Sequence, residues 1–450
     1  MIWLTILAYI AALWVLSYFF KKHADVDEYL MSRRNAGTIQ IAAGLFTLIG
    51  GGELVTMASL GFVYGRSGIA LFVGYAVAFF FLGIVAGKIR SGANEKKYIS
   101  LPDYVHDNFG KSSGLIVFIF SFLAFFALLM LQLSTAGAVI SPFINLSYNQ
   151  IVFLIGFVVF IYLLVGGFRV VLITDVIQGI AMIVLLPLLA YIVLLSNNPS
   201  VNTLPTTESL PVAIWISMIV TGFFVASASA DIWQRAYAAK SDSAARNGLM
   251  VAGILFLLFG FILVEIGIYA REIGTADPNS AFVETITTGL PVWAAILAVL
   301  MVVSAVMSTS DTEMFVLTGM LQHELRQFPF ILGKASTILN SVKGARVFIG
   351  IVAIFAIGFA MMFSDLVDIY TWLLSAIVVI SPIILFSLFW KASPIAMLFS
   401  LLANTIVFAV LVSAEILNID NIYFICIPGI TFYMIALLAS QKHFHSGEKP

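Results

Sequence analysis

The chain has 450 residues, of which 61% are hydrophobic and 10% charged, and its formal net charge is −1. Soluble domains run nearer ~45–50% apolar and ~25% charged, so this composition excludes an ordinary soluble fold, and the near-zero charge argues against a nucleic-acid partner. The single cysteine, Cys426, rules out an internal disulfide and any cysteine-based metal cluster.

Apolar stretches of about 20 residues recur along the chain, each long enough to cross about 30 Å of hydrocarbon. They predict an all-α polytopic membrane protein with about thirteen transmembrane helices in one transmembrane domain. In chain order the spans are expected near 2–20, 38–62, 67–89, 113–141, 149–166, 169–196, 210–231, 247–270, 291–321, 344–364, 367–390, 393–414 and 421–440. The first lacks a basic leading region and a small-residue cleavage site, so it reads as a retained helix rather than a signal peptide. With the N-terminus outside, all of the 22 Lys and Arg except Arg66 and Arg271 fall on the inner side. That asymmetry supports an N-out, C-in orientation in a cell membrane. The longest inner connections are expected at 88–112 and 322–346, and the longest outer ones at 197–209 and 271–290.

Two spans carry interruptions. The second holds Gly50-Gly51-Gly52-Glu53 at mid-depth, and glycines are poor helix formers. The seventh holds Gly222 and then Ala226-Ser227-Ala228-Ser229-Ala230-Asp231. These spans lie five apart and cross in opposite directions. Broken helices in corresponding positions of two inverted halves point to a secondary transporter's binding site; close helix packing through small residues is the competing reading. Glu53, directly after the glycines, is expected to face a central cavity and to meet a substrate amine or hydroxyl.

The ninth span contains Ala305, Ser308, Thr309 and Thr312 at i, i+3, i+4 and i+7, one helix face. Hard oxygen donors at membrane depth suit a small hard cation such as Na+, and polar groups there usually mark an ion or substrate path. Asp175, six residues after Arg169, falls about 9 Å into the sixth span at ~1.5 Å per residue, compatible in depth with Ser308 and Thr309. Carbonyls freed near Thr47 and Gly50 by the helix break, the carbonyl of Ala305 and the hydroxyls of Ser308 and Thr309 would together make a sodium shell. Asp175 and Asp311 are costly as isolated charges and must be protonated, paired, hydrated or cation-bound. For Asp175 the competing reading is an ion pair with Arg169; for Asp311 it is a neutral carboxyl bonded to a neighbouring helix. Glu265 has no evident partner in the sequence and is expected to be structural. His23, His106, His323, His443 and His445 fall in inner loops or the tail without metal-ligand spacing. There is no Walker-type phosphate loop and no nucleophile–base arrangement, so no enzyme is expected.

Several segments in order resemble the sodium:solute symporter family. They are Glu28-Tyr29-Leu30 with Arg33-Arg34, Leu101-Pro102-Asp103-Tyr104 through Phe109-Gly110, and Gly166-Gly167 with Thr174-Asp175-Val176-Ile177-Gln178. Further along come Asp231-Ile232-Trp233-Gln234-Arg235 with Ala238-Ala239-Lys240-Ser241, Ala305-Val306-Met307-Ser308-Thr309 and Phe389-Trp390-Lys391. The resemblance implies the inverted five-helix-repeat fold typified by the leucine transporter. Residues 2–20 would be a leading helix, 38–196 and 210–390 the two repeats, and 393–440 two peripheral helices. It implies sodium as coupling ion at Thr47, Gly50, Ala305, Ser308 and Thr309. Some members bind a second cation, which here would involve Asp175, Ser308, Asp311 and Thr312. Asp311 stands where those members have serine, leaving sodium, a proton and a carboxyl–carboxyl pair all open. The substrate cavity would be lined by Gly51, Gly52, Glu53, Phe223, Phe224, Ser227 and Trp372.

The expectation is therefore a sodium-driven importer of a small organic solute (amino acid, carboxylate, sugar or vitamin-like). The alternatives are a proton-coupled symporter using Asp311 and a transporter-like membrane solute sensor.

Overall fold

The computed structural model describes residues 2–20, 26–195, 211–288, 290–326, 341–418 and 421–445. Among them the regular elements are all helical, with one isolated backbone bridge between Ala36 and Ala239. The expected connection at 197–209, most of that at 322–346, His23, and the side chains of His443 and His445 lie outside this description.

The helices keep the expected order. They are α1 (Ile2–Phe20), α2 (Val26–Met31), α3 (Thr38–Phe46), α4 (Gly51–Tyr64), α5 (Ile69–Lys96), α6 (Leu101–Phe109), α7 (Lys111–Ile140) and α8 (Tyr148–Leu195). Then come α9 (Val212–Ser227), α10 (Ala230–Ala238), α11 (Asp242–Glu272), α12 (Ala281–Thr288), α13 (Val292–Arg326), α14 (Val342–Met362), α15 (Leu366–Phe389), α16 (Pro394–Ser413) and α17 (Ile427–His445). By length and apolarity, nine helices among the described residues can cross a membrane, or ten if one bent pair counts as a span. The expected thirteen is larger partly because the runs Gly51–Ala93 and Tyr148–Tyr191 each hold two expected spans joined without a long loop. In α8 the junction is Gly167, whose φ of 67° and ψ of 173° no β-carbon-bearing residue adopts easily, and it divides 149–166 from 169–196.

Both expected interruptions exist, each shifted from where composition alone places it. In the first, α3 ends at Phe46 and α4 starts at Gly51, so the unwound segment is 47–50, and Gly51 and Gly52 are helical. Two features hold those glycines in the helix. The Gly52 N–H donates to Gln132 Oε1 of α7 at 2.9 Å, and Glu53 places a carboxylate in the first turn, where the helix dipole favours it. In the second, the break lies at 228–229 and bends α9 from α10 by 44°. Gly222 belongs to α9 proper. A β-carbon there would strike the carbonyl of Leu71 on α5, so its role is close helix approach.

These breaks sit beside α13, which packs on α7, α8 and α14 and also touches α4 and α10. The α13 face from Ala305 to Glu313 is entirely buried.

Candidate functional site

Thr309 joins α13 to the first break. Its hydroxyl is within hydrogen-bonding distance of the Thr47 carbonyl at 2.9 Å and of the Ala305 carbonyl, one turn back, at 3.0 Å. A β-carbon on Gly50 would collide with Thr309 Oγ1, so glycine keeps this junction tight. Thr47, Ala305 and Thr309 thus converge as neutral oxygens. Gly50 is adjacent, but its carbonyl accepts the Leu54 N–H at 2.9 Å and starts α4. Ser308 points away from the break: its hydroxyl donates to Asp175 Oδ1 at 2.6 Å.

Asp175, Ser308, Asp311 and Thr312 do come together, around a residue the sequence reading placed elsewhere. Arg235 of α10 donates through Nη2 to Asp175 Oδ2 at 3.0 Å and to Thr312 Oγ1 at 2.9 Å. Aspartate and arginine are both fully buried. The partner of Asp175 is therefore Arg235 rather than Arg169; burial favours a cation reached across the core over one at the helix end. Asp311 accepts a hydrogen bond from Tyr162 OH at 2.5 Å. Behind this cluster, Gln178 donates to Tyr9 OH on α1 at 2.8 Å, and Tyr9 donates to Ser304 at 3.1 Å.

Glu313, one turn past Thr309, went unremarked in the sequence. It is fully buried, and neither carboxylate oxygen has a hydrogen-bond partner among the described residues. Burying a carboxylate without donors costs several kcal/mol, so this side chain has an unmet demand for a proton or cation.

A cavity of about 40 Å3 lies between the two breaks. Leu48, Ile49 and Glu53 line it from the first, and Ala226, Ser229 and Asp231 from the second. Glu53 is held by Gln132 Nε2 at 2.9 Å, the same amide whose oxygen caps Gly52. Asp231 Oδ1 accepts from Ser229 Oγ and from the Ile232 N–H, each at 2.6 Å. Of the other residues assigned to the cavity, Gly51 and Gly52 pack on Val306 and Leu131 behind Glu53. Phe223 and Phe224 form an aromatic group with Phe81 on α5. Ser227 is buried, its carbonyl accepting Trp233 Nε1 at 2.9 Å. Trp372 is 48% exposed and lines a separate groove with Phe126 and Phe408. Its neighbour Leu373 reaches the central cavity, because one step along a helix turns a side chain by about 100°.

Asp231 and Gln132 were legible in principle. Asp231 repeats the pattern of Glu53, a carboxylate in the first turn after a break, and Gln132 is a lone amide in an apolar run. Outside the site, Glu265 does have a partner, Arg66 at 2.9 Å. His106 bonds Glu324 at 2.8 Å and His323 lies against Asp103, fastening α6 to the end of α13.

The model of the sodium:solute symporter family matches residues 29–394. The chain is similar to high-affinity choline transporter 1 of Caenorhabditis elegans, 24% identical over 333 residues, which cover 67% of this chain and 57% of that protein. It is also similar to the osmoregulated proline transporter OpuE of Bacillus subtilis (strain 168), 29% identical over 193 residues, 41% of this chain and 39% of that one. The chain thus spans 57% and 39% of the lengths of these two curated relatives. Among solved structures, a Na+-coupled sialic acid symporter in a substrate-bound outward-open state superposes with a TM-score of 0.82 at 14% identity, covering 98% of this chain and 97% of that one. The nucleobase-cation-symport-1 family transporter MHP1, closed around bromovinylhydantoin, gives a TM-score of 0.54 at 16% identity, covering 92% and 94%. At these identities the structures show a shared fold.

Proposed function

The chain belongs to the sodium:solute symporter family, and on that premise we propose that it imports a small organic solute by alternating access, driven by sodium. It is a multi-pass membrane transport protein, and its family and structural neighbours are transporters rather than enzymes. The observation that carries the sodium reading is the contact between Thr309 Oγ1 and the Thr47 carbonyl. It links α13 to the unwound segment through neutral oxygens, the donor set that holds an alkali cation without adding charge. Turning one hydroxyl proton aside presents Thr47 O, Ala305 O and Thr309 Oγ1 to sodium. Sodium there fixes the first break against α13, and the cavity beside Glu53 takes its substrate-ready shape. Ion and substrate then favour each other's binding by the same factor.

Arg235 supports one sodium rather than two, because its guanidinium already supplies the positive charge among Asp175, Ser308 and Thr312. The inverted-repeat reading, 38–196 against 210–390, draws support from the matched breaks, each followed by a first-turn carboxylate. The inner-side excess of Lys and Arg supports an outside N-terminus.

Binding of radiolabelled sodium to purified protein, followed by solute uptake into proteoliposomes under an imposed sodium gradient, tests the proposal. Saturable sodium binding, weakened about tenfold in Thr309→Ala, is the expected result. Uptake that ignores sodium and follows an imposed pH gradient would overturn it and make Asp311 the coupling residue. Sodium-dependent ligand binding without accumulation would indicate a sensor.

A further inference from the structure

The central cavity has a lopsided chemistry. Its described lining includes two carboxylates, Glu53 and Asp231, and no Lys, Arg or His. Both are more than nine-tenths buried, at 8% and 2% exposure. Gln132 Nε2 meets Glu53 Oε2, and Ser229 Oγ and the Ile232 N–H both meet Asp231 Oδ1. Arg235 does not line the cavity; its Nη2 bonds Asp175 and Thr312.

The simplest role for the two acids is to face the N-termini of α4 and α10, since each lies in a first turn. Such a helix end carries about half a positive charge. Each such end offsets only about half of the carboxylate charge it faces. The same placement removes the sites an anion would need, because the helix ends that could grip a carboxylate already hold one. A divalent metal is a poor fit as well: among the described residues no three acidic, histidine or cysteine side chains are close enough to hold one.

The remaining wall is aromatic. Phe72, Tyr75, Phe79 and Phe256 line the cavity. Phe256 stacks on Tyr75 with ring centroids 5.6 Å apart and lies 4.9 Å from Phe79. Aromatic faces attract cations, by about 0.5–1 kcal/mol in water and about 2 or more when desolvated. At about 40 Å3 the cavity holds little more than a water molecule, so a solute enters only as the breaks separate, and a compact one disturbs them least.

We propose that the transported solute is a compact organic monocation, an ammonium or guanidinium compound, held between Glu53, Asp231 and the aromatic wall of Phe72, Tyr75 and Phe256. This rests on the transport function proposed above.

Thermal unfolding of the purified full-length chain tests it, with tetramethylammonium, guanidinium, lactate and glucose as probes, each with and without sodium. At least one of the two cations should raise Tm, and more strongly with sodium present, while lactate and glucose leave it unchanged. Asp231→Asn should weaken the cation's apparent affinity by about tenfold, the scale of one charge-assisted contact. Phe256→Leu should weaken it several-fold and serves as the readout where Asp231→Asn does not fold. The stabilisation by sodium alone should persist in both variants. Stabilisation by lactate or glucose, or by neither cation while sodium alone still raises Tm, would overturn the substrate assignment. Loss of the sodium-only effect in the unmodified protein would instead sink the symport reading.

Discussion

Two junctions on α13, one helical turn apart, tie it to the two broken helices by opposite means. At Thr309 the tie to α3 is a hydroxyl on a carbonyl, neutral on both sides. At Thr312 and Ser308 the tie to α10 runs through a fully buried carboxylate–guanidinium pair. A neutral hydrogen bond nets about 0.5–1.5 kcal/mol, so a cation can displace it cheaply. A buried ion pair resists separation, because whichever partner is left behind is an uncompensated charge. The first junction therefore suits an exchangeable ligand, and the second suits a latch.

Breaking the latch should have the largest effect. Arg235→Gln leaves Asp175 without its counter-charge and should lower stability by about 3–5 kcal/mol, read by thermal unfolding in detergent; an unchanged midpoint would mean the pair is not a latch. Tyr162→Phe removes the donor to Asp311 and should cost about 1–3 kcal/mol, with the sodium concentration for half-maximal stabilisation unmoved. Thr309→Ala should raise that concentration about tenfold, equivalent to ~1.4 kcal/mol. Ser308→Ala, whose hydroxyl serves Asp175, should move it less; equal shifts in the two variants would erase the distinction between the junctions. Smallest is Arg66→Gln, at a 79%-exposed arginine bonded to Glu265. It should change stability by under about 1 kcal/mol and leave sodium dependence alone.

Hydropathy is a sum over about 20 residues, which is why the helices and their order were readable from the chain. Break positions depend on single hydrogen bonds. The three glycines suggested unwinding through Gly52, yet the Gln132 amide, 80 residues away, keeps Gly51 and Gly52 helical. The hydroxyl face of α13 followed from spacing, but spacing does not tell which hydroxyl faces which neighbour. Ser308 and Thr309 are adjacent in sequence and face different helices. The partner of Asp175 was out of reach for the same reason: Arg235 is 60 residues downstream, whereas Arg169 was merely near in sequence. Trp372 shows the same limit on a smaller scale, since one residue of helical phase separates it from the cavity that Leu373 lines.

The bridge between Ala36 and Ala239 carries a consequence for how this protein tolerates change. Ala36 N–H donates to the Ala238 carbonyl and Lys240 N–H to the Ala36 carbonyl, both at 2.9 Å. The segment entering the first broken helix is thereby stitched to the segment leaving the second. The stitch is made of main chain alone, so alanine scanning passes over it without a signal. Among single substitutions at Lys240, proline, which has no N–H to give, is the one that removes the donor. The two broken helices can thus stay coupled while the side chains around them drift in sequence.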